Sequence, residues 1–438
     1  MTSATPAPWV GLRRRVQTHL AVPLYRNGYA LVVGYGAGSL LGLVFWVVAA
    51  RQADSHTVGV AAALFSLVLL VSGASQLSLY TVLLRFVPLA GAQAPRLVVG
   101  CYAVSAGLAL LAGGGVALSA PLWSDDLTFL ADDARWFVAF AVACAGWSVF
   151  ALQDSAMIGA RAAQWVMVEN SLFSVVRVAM VIPLAVIGAS GIFAAAIVPA
   201  LIALIPVNIL LFRRLLPRHI GATGGRAEPL NRRALSRFIW SNYLGSLFVV
   251  SSFLLPILVT GVAGPQDNAY FYAAWTIAVG LQLIAVSMMV SLLVEGSLSR
   301  TRLAEHSRRA LKQTLRLVIP AAVMVASVAP WLLGIFGQEY AVSASWSLRI
   351  LALSAIPNVI VTLAINMARV QQRAGVVVWI QAAACVVGVG LGALLLPSFG
   401  ITGVSVGWAV GQLIVGLGVV PWVWRILAGS SPGAQEDS

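Results

Sequence analysis

Few residues of this chain could do chemistry, and the most informative of them is a single arginine. Arg177 lies in the apolar segment S-V-V-R-V-A-M-V. A charge at the centre of a bilayer costs roughly 2.5–3.5 kcal/mol on insertion scales. We therefore expect Arg177 to face either a hydrated cavity or a partner carboxylate. A guanidinium stays charged and can bind a phosphate through two hydrogen bonds, so an anionic group of a substrate is its candidate ligand. A structural ion pair is the alternative.

A second polar group lies where two consecutive apolar segments meet. Asp154 precedes Arg161 by seven residues, and both would share one face if the helix continues that far. Glu169 and Asn170 open the next segment, about two helical turns before Arg177. Three roles stay open for this group: a salt-bridge network that fixes packing, an ion-coupling site, or part of a polar path for the substrate.

Five further residues are weaker candidates. Arg85 and Glu295 lie at the inner ends of the second and eighth apolar segments, where they could form an ion pair that closes a gate, or could extend to the membrane interface. Arg51 and Arg349 lie near the outer surface and could bind or release an anion. Gln282 is a polar residue deep in an apolar segment and is a candidate substrate contact.

No motif for soluble catalysis accompanies these residues. The sequence contains no Walker A motif, no H-E-x-x-H and no G-x-S-x-G. The three cysteines have neither metal nor redox spacing. We therefore expect no enzyme activity, no metal and no cofactor. Transport would have to use an ion gradient, the membrane potential or downhill movement of the substrate.

Composition identifies the solvent of this protein as lipid. Of 438 residues, 60% are hydrophobic and 9% are charged, whereas a soluble domain is about one quarter charged. Continuous apolar runs of about 20 residues are long enough to cross a bilayer as helices and are unlike the alternating strands of a barrel. The net charge of +13 does not indicate nucleic-acid binding, because the arginines lie in short links between apolar segments.

The apolar runs predict an all-α, polytopic membrane protein with about twelve transmembrane helices in two pseudo-symmetric six-helix lobes around a central cavity. The predicted spans are approximately 28–50, 58–84, 97–121, 136–158, 168–188, 191–212, 238–262, 270–294, 313–336, 345–368, 374–396 and 401–425. The predicted domains are a basic N-terminal arm (1–27), an N-lobe (28–212), a basic connector (213–237), a C-lobe (238–426) and a tail (427–438).

Positive charge sets the predicted orientation. The connector alone holds seven arginines. With the N-terminus in the cytoplasm, only Arg51 and Arg135 among the basic residues fall in outer links, as the positive-inside rule requires. We expect a multi-pass protein of the bacterial cytoplasmic (inner) membrane, with arm, connector and tail in the cytoplasm.

The two halves show weak internal similarity. A shift of about 211 residues places T-V-G-V-A-A-A-L (57–64) on N-A-Y-F-Y-A-A-W (268–275), and it aligns the spans of the two halves. Six spans in each half predict lobes related by an axis along the membrane normal. Under this shift Gly388 takes the place of Arg177, which predicts an asymmetric site.

Four apolar segments carry a family resemblance: R-F-V-P-L-A-G (85–91), A-Y-F-Y-A-A-W-T-I-A (269–278), S-L-L-V-E-G-S (291–297) and L-R-I-L-A-L-S-A-I-P (348–357). They resemble the polysaccharide-biosynthesis and O-antigen flippases of the multidrug/oligosaccharidyl-lipid/polysaccharide exporter superfamily. The resemblance implies a V-shaped cavity and alternating access. It also implies transport of a polyprenyl-diphosphate-linked glycan from the inner to the outer leaflet, for cell-surface polysaccharide biosynthesis. Glycosyltransferases or a polysaccharide polymerase would be the partners.

Two other functions stay open. The first is a cation-coupled multidrug exporter of the same superfamily, which requires a carboxylate within the membrane. The second is a membrane scaffold for glycan assembly, or a glycan-modifying enzyme. The acidic outer link D-D-L-T-F-L-A-D-D (125–133) is the only cluster in the sequence that could serve such an enzyme, and solvated charge is the better explanation of it.

Overall fold

The computed structural model describes residues 23–222, 232–298, 303–371 and 373–428, and these residues are helical except in short links. Seven main helices cover the first half. They are α1 (Pro23–Gln52), α2 (Ser55–Ser75), α3 (Leu79–Phe86), α4 (Ala94–Ser119), α5 (Ala134–Gly159), α6 (Ala163–Leu184) and α7 (Ala189–Leu210). Helix α7 continues through a π-helical turn (Leu211–Leu215) into Leu216–Ala222.

The second half repeats this arrangement. Its helices are α8 (Arg232–Val250), α9 (Leu254–Ala263), α10 (Pro265–Leu298), α11 (Leu303–Ser327), α12 (Ala329–Gly334), α13 (Gln338–Val370) and α14 (Ala374–Ala428). The long helix α14 is two helices that meet at a kink at Gly400, which has φ 57°. Two spans are each divided into a pair of helices in this half: α8 with α9, and α11 with α12. The all-α prediction is confirmed, and the helices follow the predicted spans.

The length and composition of the helices identify a multi-pass membrane protein. Within the described residues, nine helices are long and apolar enough to cross a bilayer. Large apolar side chains cover the outside of the bundle, as contact with lipid chains requires. Examples are Leu111, Leu122, Ile205, Trp379 and Leu394.

The helices form two lobes with matching internal packing. In the N-lobe, α1 packs on α6 and α4 packs on α5; in the C-lobe, α8 and α9 pack on the first half of α14 and α11 packs on α13. These are the same pairs under the shift of about 211 residues. The internal similarity of the sequence therefore corresponds to a repeated fold.

The bundle has two ends that differ in their links. The Arg51 end carries the tight turns at Gly188, Gly264 and Gly400, all of which have positive φ angles that favour glycine. The connector end carries Arg161 and the exposed arginines of the helical segment 213–222. Helix covers the first ten residues of the predicted connector and its last six.

The lobes touch mainly toward the Arg51 end. Asn268 of α10 donates to the carbonyl of Gly59 at 3.0 Å, and α2 approaches Pro265 so closely that a Cβ on Gly59 would lie 1.7 Å from its carbonyl oxygen. Farther from that end, α2 breaks before α3 at two residues with left-handed backbone, Leu77 and Ser78. The Ser78 hydroxyl lies 2.8 Å from that of Ser246 on α8.

Candidate functional site

Arg177 is buried between three N-lobe helices and the first turns of a C-lobe helix. It lies seven residues before the end of α6, about 10 Å below the Arg51 end. Its guanidinium carbon is 4.0 Å from the ring centre of Phe45 on α1 and 4.8 Å from that of Phe65 on α2. These are cation–π distances. Trp46, the neighbour of Phe45, packs against Tyr272 of α10 with ring centres 4.8 Å apart, so Arg177 lies close to where the lobes meet.

The guanidinium of Arg177 has donor atoms that make no hydrogen bond to the described residues. Arg177 is 7% exposed, yet its Nε and Nη2 atoms have no hydrogen-bond partner among the described residues. No carboxylate pairs with it in that part of the chain either, which argues against the structural ion pair. Aromatic faces stabilise the charge, but they cannot accept the hydrogen bonds of both nitrogens. Arg177 could therefore bind an acceptor oxygen.

The second site is a cluster of carboxylates and amides inside the N-lobe, near the connector end. Asn170 Nδ2 donates to Asp154 Oδ2 at 3.0 Å, and Gln153 donates to Glu169. Asn208 of α7 donates to Gln153 Oε1 at 3.2 Å. Asp154 lies five residues before the end of α5 and Glu169 six residues after the start of α6, about 8–9 Å into the bundle.

This cluster, which we call the carboxylate cluster, consists of Gln153, Asp154, Glu169, Asn170 and Asn208. It contains more acceptors than donors. Buried oxygens without a hydrogen-bond partner among the described residues are Asp154 Oδ1, Glu169 Oε2 and Asn208 Oδ1. The hydroxyl of Tyr102 on α4 is also buried and unpartnered there. Packed apolar residues, among them Leu152 and Val166, surround these groups.

Arg161 does not belong to the carboxylate cluster. A shared face with Asp154 requires α5 to continue as far as Arg161. Helix α5 ends at Gly159 instead. Arg161 instead has a left-handed backbone (φ 59°) and an exposed side chain in the turn before α6. The carboxyls of Asp154 and Glu169 bond to amides and not to arginine, so a salt-bridge network is the wrong description of this group.

Arg51 connects the two lobes. Its Nε donates to the carbonyl of Ile335 at 2.7 Å and its Nη2 to that of Gly334 at 2.9 Å. Both carbonyls lie at the C-terminal end of α12, whereas Arg51 lies in the last turn of α1. These contacts hold Arg51 at the junction of the lobes.

The other candidates lie apart from these sites. Arg349 stays within the C-lobe, where its Nε donates to Ala326 O at 3.3 Å and its guanidinium lies 4.8 Å from the Trp346 ring centre. Arg85 is exposed and its guanidinium is 5.5 Å from the Phe86 ring centre. Gln282 on α10 has a buried Nε2 without a hydrogen-bond partner among the described residues. The side chain of Glu295 lies outside the described residues, so its pairing with Arg85 stays a prediction.

Several residues of both sites were not predicted from the sequence. Gln153, Asn208 and Tyr102 are single neutral polar residues in apolar helices, and such residues most often bond locally. Phe45 and Phe65 have no feature that distinguishes them from other core aromatics. Their role emerges only because α1 packs on α6 and because Phe65 of α2 faces the guanidinium of Arg177.

The chain resembles known proteins in its structure and not in its sequence. No protein-family model matches it, and no curated relative does. Solved structures match over almost the whole chain. One is described as the inward-facing conformation of a multidrug resistance MATE family transporter of the MOP superfamily. It has a TM-score of 0.68 and 14% identity, with 91% of this chain and 96% of that one covered.

Two other similar structures have 14% identity and cover 93% of this chain and 96% of the other. The outward-facing conformation of a MATE family transporter has a TM-score of 0.61. A MOP superfamily transporter from Pyrococcus furiosus, described as having a binding pocket of reverse polarity that suggests a different function, has a TM-score of 0.62. The chain has the fold of the MOP superfamily transporters. At this level of identity, the likeness establishes architecture and leaves the substrate to be argued from residues.

Proposed function

We propose that this chain is an alternating-access membrane transporter that exchanges its substrate for a cation, and that Asp154 and Glu169 bind the cation. The observation that carries the proposal is the surplus of buried acceptor oxygens in the carboxylate cluster. Each carboxyl has one amide donor and one oxygen without a hydrogen-bond partner among the described residues. A buried ionised carboxylate without a cation is costly, so these oxygens favour a bound positive charge.

The composition of the carboxylate cluster favours a small monovalent ion, either a proton or Na⁺. The described residues contain no group of three or more His, Cys, Asp or Glu that could hold a metal ion. Two carboxyls and neutral amide and hydroxyl oxygens suit a hard cation of low charge. A proton would bind to one of the carboxyls, whereas Na⁺ would need several of the oxygens as ligands.

The conformation supports alternating access. The hydrogen bonds of Arg51 and Asn268 between the lobes lie at the Arg51 end, which the distribution of charge predicts to be outside. The similarity is also higher to the inward-facing MATE structure than to the outward-facing one, with TM-scores of 0.68 and 0.61. The hydrogen bonds between the lobes and the greater similarity to the inward-facing structure both support a state that is closed at the Arg51 end.

Multidrug export is the substrate class that these neighbours favour. The inward- and outward-facing structures are both described as multidrug resistance transporters. The carboxylate that such an exporter requires within the membrane is supplied by the carboxylate cluster. We therefore place the cation-coupled exporter ahead of the glycan flippase that the sequence motifs suggested.

Dye efflux from bacteria that lack their own drug exporters tests this proposal. Expression of the chain should lower the accumulation of ethidium and related cationic dyes. Asp154→Asn and Glu169→Gln should each reduce energised efflux by about tenfold or more, because an amide cannot take up a cation as a carboxylate does. Glu305→Gln is the matched control, since that carboxylate is exposed at the connector end and pairs with Arg309. Full efflux by both amide variants at wild-type protein levels would contradict the proposal.

Transport of a lipid-linked glycan is the second candidate, and Arg177 favours it. A buried guanidinium with two donor atoms that have no partner among the described residues, at the junction of the lobes, suits a diphosphate better than a cationic drug. In that case a polyprenyl-diphosphate-linked glycan would be the substrate, with glycosyltransferases or a polymerase as partners. Depletion of the chain should then cause the lipid-linked intermediate to accumulate, and no dye should be exported.

A further inference from the structure

Arg51 holds the end of another helix in the opposite lobe. The last carbonyls of a helix lack partners within the helix, and the guanidinium of Arg51 donates to two consecutive carbonyls, Gly334 O and Ile335 O, at the C-terminal end of α12. The planar fork of a guanidinium holds two neighbouring acceptors in one fixed geometry, which the flexible ammonium of lysine does not provide. The residues that are joined lie 283 and 284 positions apart in the chain.

A second set of bonds lies beside it, and it joins Ser55 of the N-lobe to Tyr270 and Glu339 of the C-lobe. The hydroxyl of Tyr270 on α10 donates to Glu339 Oε2 at 3.0 Å, and the hydroxyl of Ser55 on α2 lies 3.5 Å from the same oxygen. The Tyr270 hydroxyl is also 3.3 Å from that of Ser55. Glu339 in the first turn of α13 is thus linked to α10 and to the start of α2.

The contacts just below these polar groups are dry. Tyr270 is 5% exposed and packs against Tyr340, with ring centres 5.1 Å apart. Trp46 on α1 packs against Tyr272 at 4.8 Å between ring centres. Separating the lobes at this end would expose the rings of Trp46 and Tyr272 to water, which opposes opening. The bonds of Arg51 are, in contrast, exposed and open to exchange with water.

We propose that Arg51 is the lock of the Arg51 end: its two bonds to the end of α12 hold the lobes together there, and their release is a step of each transport cycle. This role rests on the alternating-access function proposed above. In this proposal Arg51 controls the conformation of the lobes, whereas the sequence suggested that it binds an anion. Because its bonds lie at the rim, they form last on closing and break first on opening. The link of Tyr270 and Ser55 to Glu339 lies next to them and strengthens the closed state.

Distances between spin labels on the two lobes test the lock. One pair, Val186→Cys with Val342→Cys, reports on the Arg51 end, and both side chains there are largely exposed, at 83% and 74%. A second pair, Arg161→Cys with Arg373→Cys, reports on the connector end. Cys385 is replaced by serine in this background, and the buried Cys101 and Cys144 are left in place.

The lock predicts that Arg51→Ala raises the ratio of long to short distances at the Arg51 end by about fivefold, which corresponds to about 1 kcal/mol for two exposed bonds. The connector-end pair should shift in the opposite sense. Arg51→Lys should recover part of the short population, since it restores the charge and a single donor group. Tyr270→Phe should also raise the ratio of long to short distances at the Arg51 end. It is a second variant that tests the lock even if Arg51→Ala impairs folding.

Arg135→Ala is the matched control, because Arg135 is an exposed arginine in the first turns of α5 at the same end. It should leave both distributions unchanged. If the wild-type lobes change distance with pH or Na⁺ but Arg51→Ala and Tyr270→Phe leave the ratio unchanged, the lock is wrong and alternating access stands. If neither pair of labels changes distance under any of these conditions, the lock and the proposed function both fail.

Discussion

The two lobes share one fold but differ in what they bury. At the shift of about 211 residues, the N-lobe residues Asp154, Glu169 and Arg177 correspond to Ile365, Ile380 and Gly388 of the C-lobe. Helices α5 and α6 of the N-lobe therefore carry buried ionisable residues, and α13 and α14 of the C-lobe carry none at the corresponding positions. The repeated packing is a scaffold, and the chemistry of the molecule lies in one copy of it.

The C-lobe replaces the charges with amides and with close backbone contact. Asn358 Nδ2 donates to Gln412 Oε1 at 3.1 Å, a neutral pair that joins α13 to α14. At Gly388, a Cβ on the facing Gly411 would lie 2.5 Å from the glycine Cα. Helices in lipid associate by this kind of small-residue packing. The C-lobe crossing is thus built for proximity, whereas the N-lobe crossing makes room for the Arg177 side chain.

The largest expected difference between the lobes concerns their arginines. Arg177→Ala should reduce transport by about tenfold or more, because it removes the buried charge at the junction of the lobes, and tenfold corresponds to about 1.4 kcal/mol. Arg349→Ala should leave transport within about twofold, since its contacts stay within the C-lobe. Initial rates in vesicles measure both. Equal losses of transport in the two variants would contradict a special role for the N-lobe arginine.

The glycine crossing of α14 gives a prediction on stability. A Cβ at Gly407 would lie 2.3 Å from the backbone nitrogen of Gly392, so Gly407→Ala should force the two halves of α14 apart. Overpacking of this kind costs about 1–3 kcal/mol. Gly418→Ala in the same helix is the control, because a Cβ there meets no atom within 4 Å. Thermal unfolding in detergent should show a lower midpoint for Gly407→Ala alone, and equal midpoints would argue against the close crossing.

The smallest effect concerns how equivalent helices begin. Helix α2 of the N-lobe has a side-chain cap, with the Thr57 amide donating to Asp54 Oδ1 at 2.9 Å and its hydroxyl to Oδ2 at 2.7 Å. Helix α10 of the C-lobe instead follows Gly264 and begins with Pro265. Loss of a cap costs about 1 kcal/mol, so Asp54→Ala should lower the unfolding midpoint slightly at neutral pH.

This cost should depend on pH with a defined sign. The hydrogen bonds from the Thr57 hydroxyl and amide lower the pKa of Asp54 below its usual value. The stabilisation is therefore fully present above the unfolded pKa of about 3.9 and is lost as the pH falls through the lower folded value. The difference between wild type and Asp54→Ala should shrink as the pH is lowered from 7 towards 3. A difference that grows at low pH would mean that the carboxylate does not act as the cap.

Much of the architecture could be predicted from the sequence. Long apolar runs set the helices, because lipid requires every backbone group to bond within its helix. Glycine and proline favour tight turns where consecutive apolar runs meet, at Gly188 and at Pro397 to Gly400, and both glycines have positive φ angles. The break before α3 was not predicted. Leu77 and Ser78 are left-handed there without the residue types that favour that backbone.

The sites were predicted only in part, because their partners come from distant helices. Arg177, Asp154 and Glu169 are conspicuous as charges in apolar segments. The sequence pattern did not show that Gln153 and Asn208 would hold the carboxylates, nor that Phe45 and Phe65 would face the guanidinium. Arg51 was expected to meet an anion, and the structure places it on carbonyls of the opposite lobe. Contacts between lobes depend on how two separately packed units meet, which local patterns do not encode.

The central claim is that the carboxylates of one lobe control the opening of both. The most direct test is the distance between spin labels at positions 161 and 373, at the connector end, measured in liposomes as pH and Na⁺ are varied. We predict that one of these cations changes the ratio of long to short distances by about tenfold. The change should vanish when Asp154→Asn and Glu169→Gln are combined. A wild-type distribution that responds to neither cation, or a double variant that responds as the wild type does, would contradict the account.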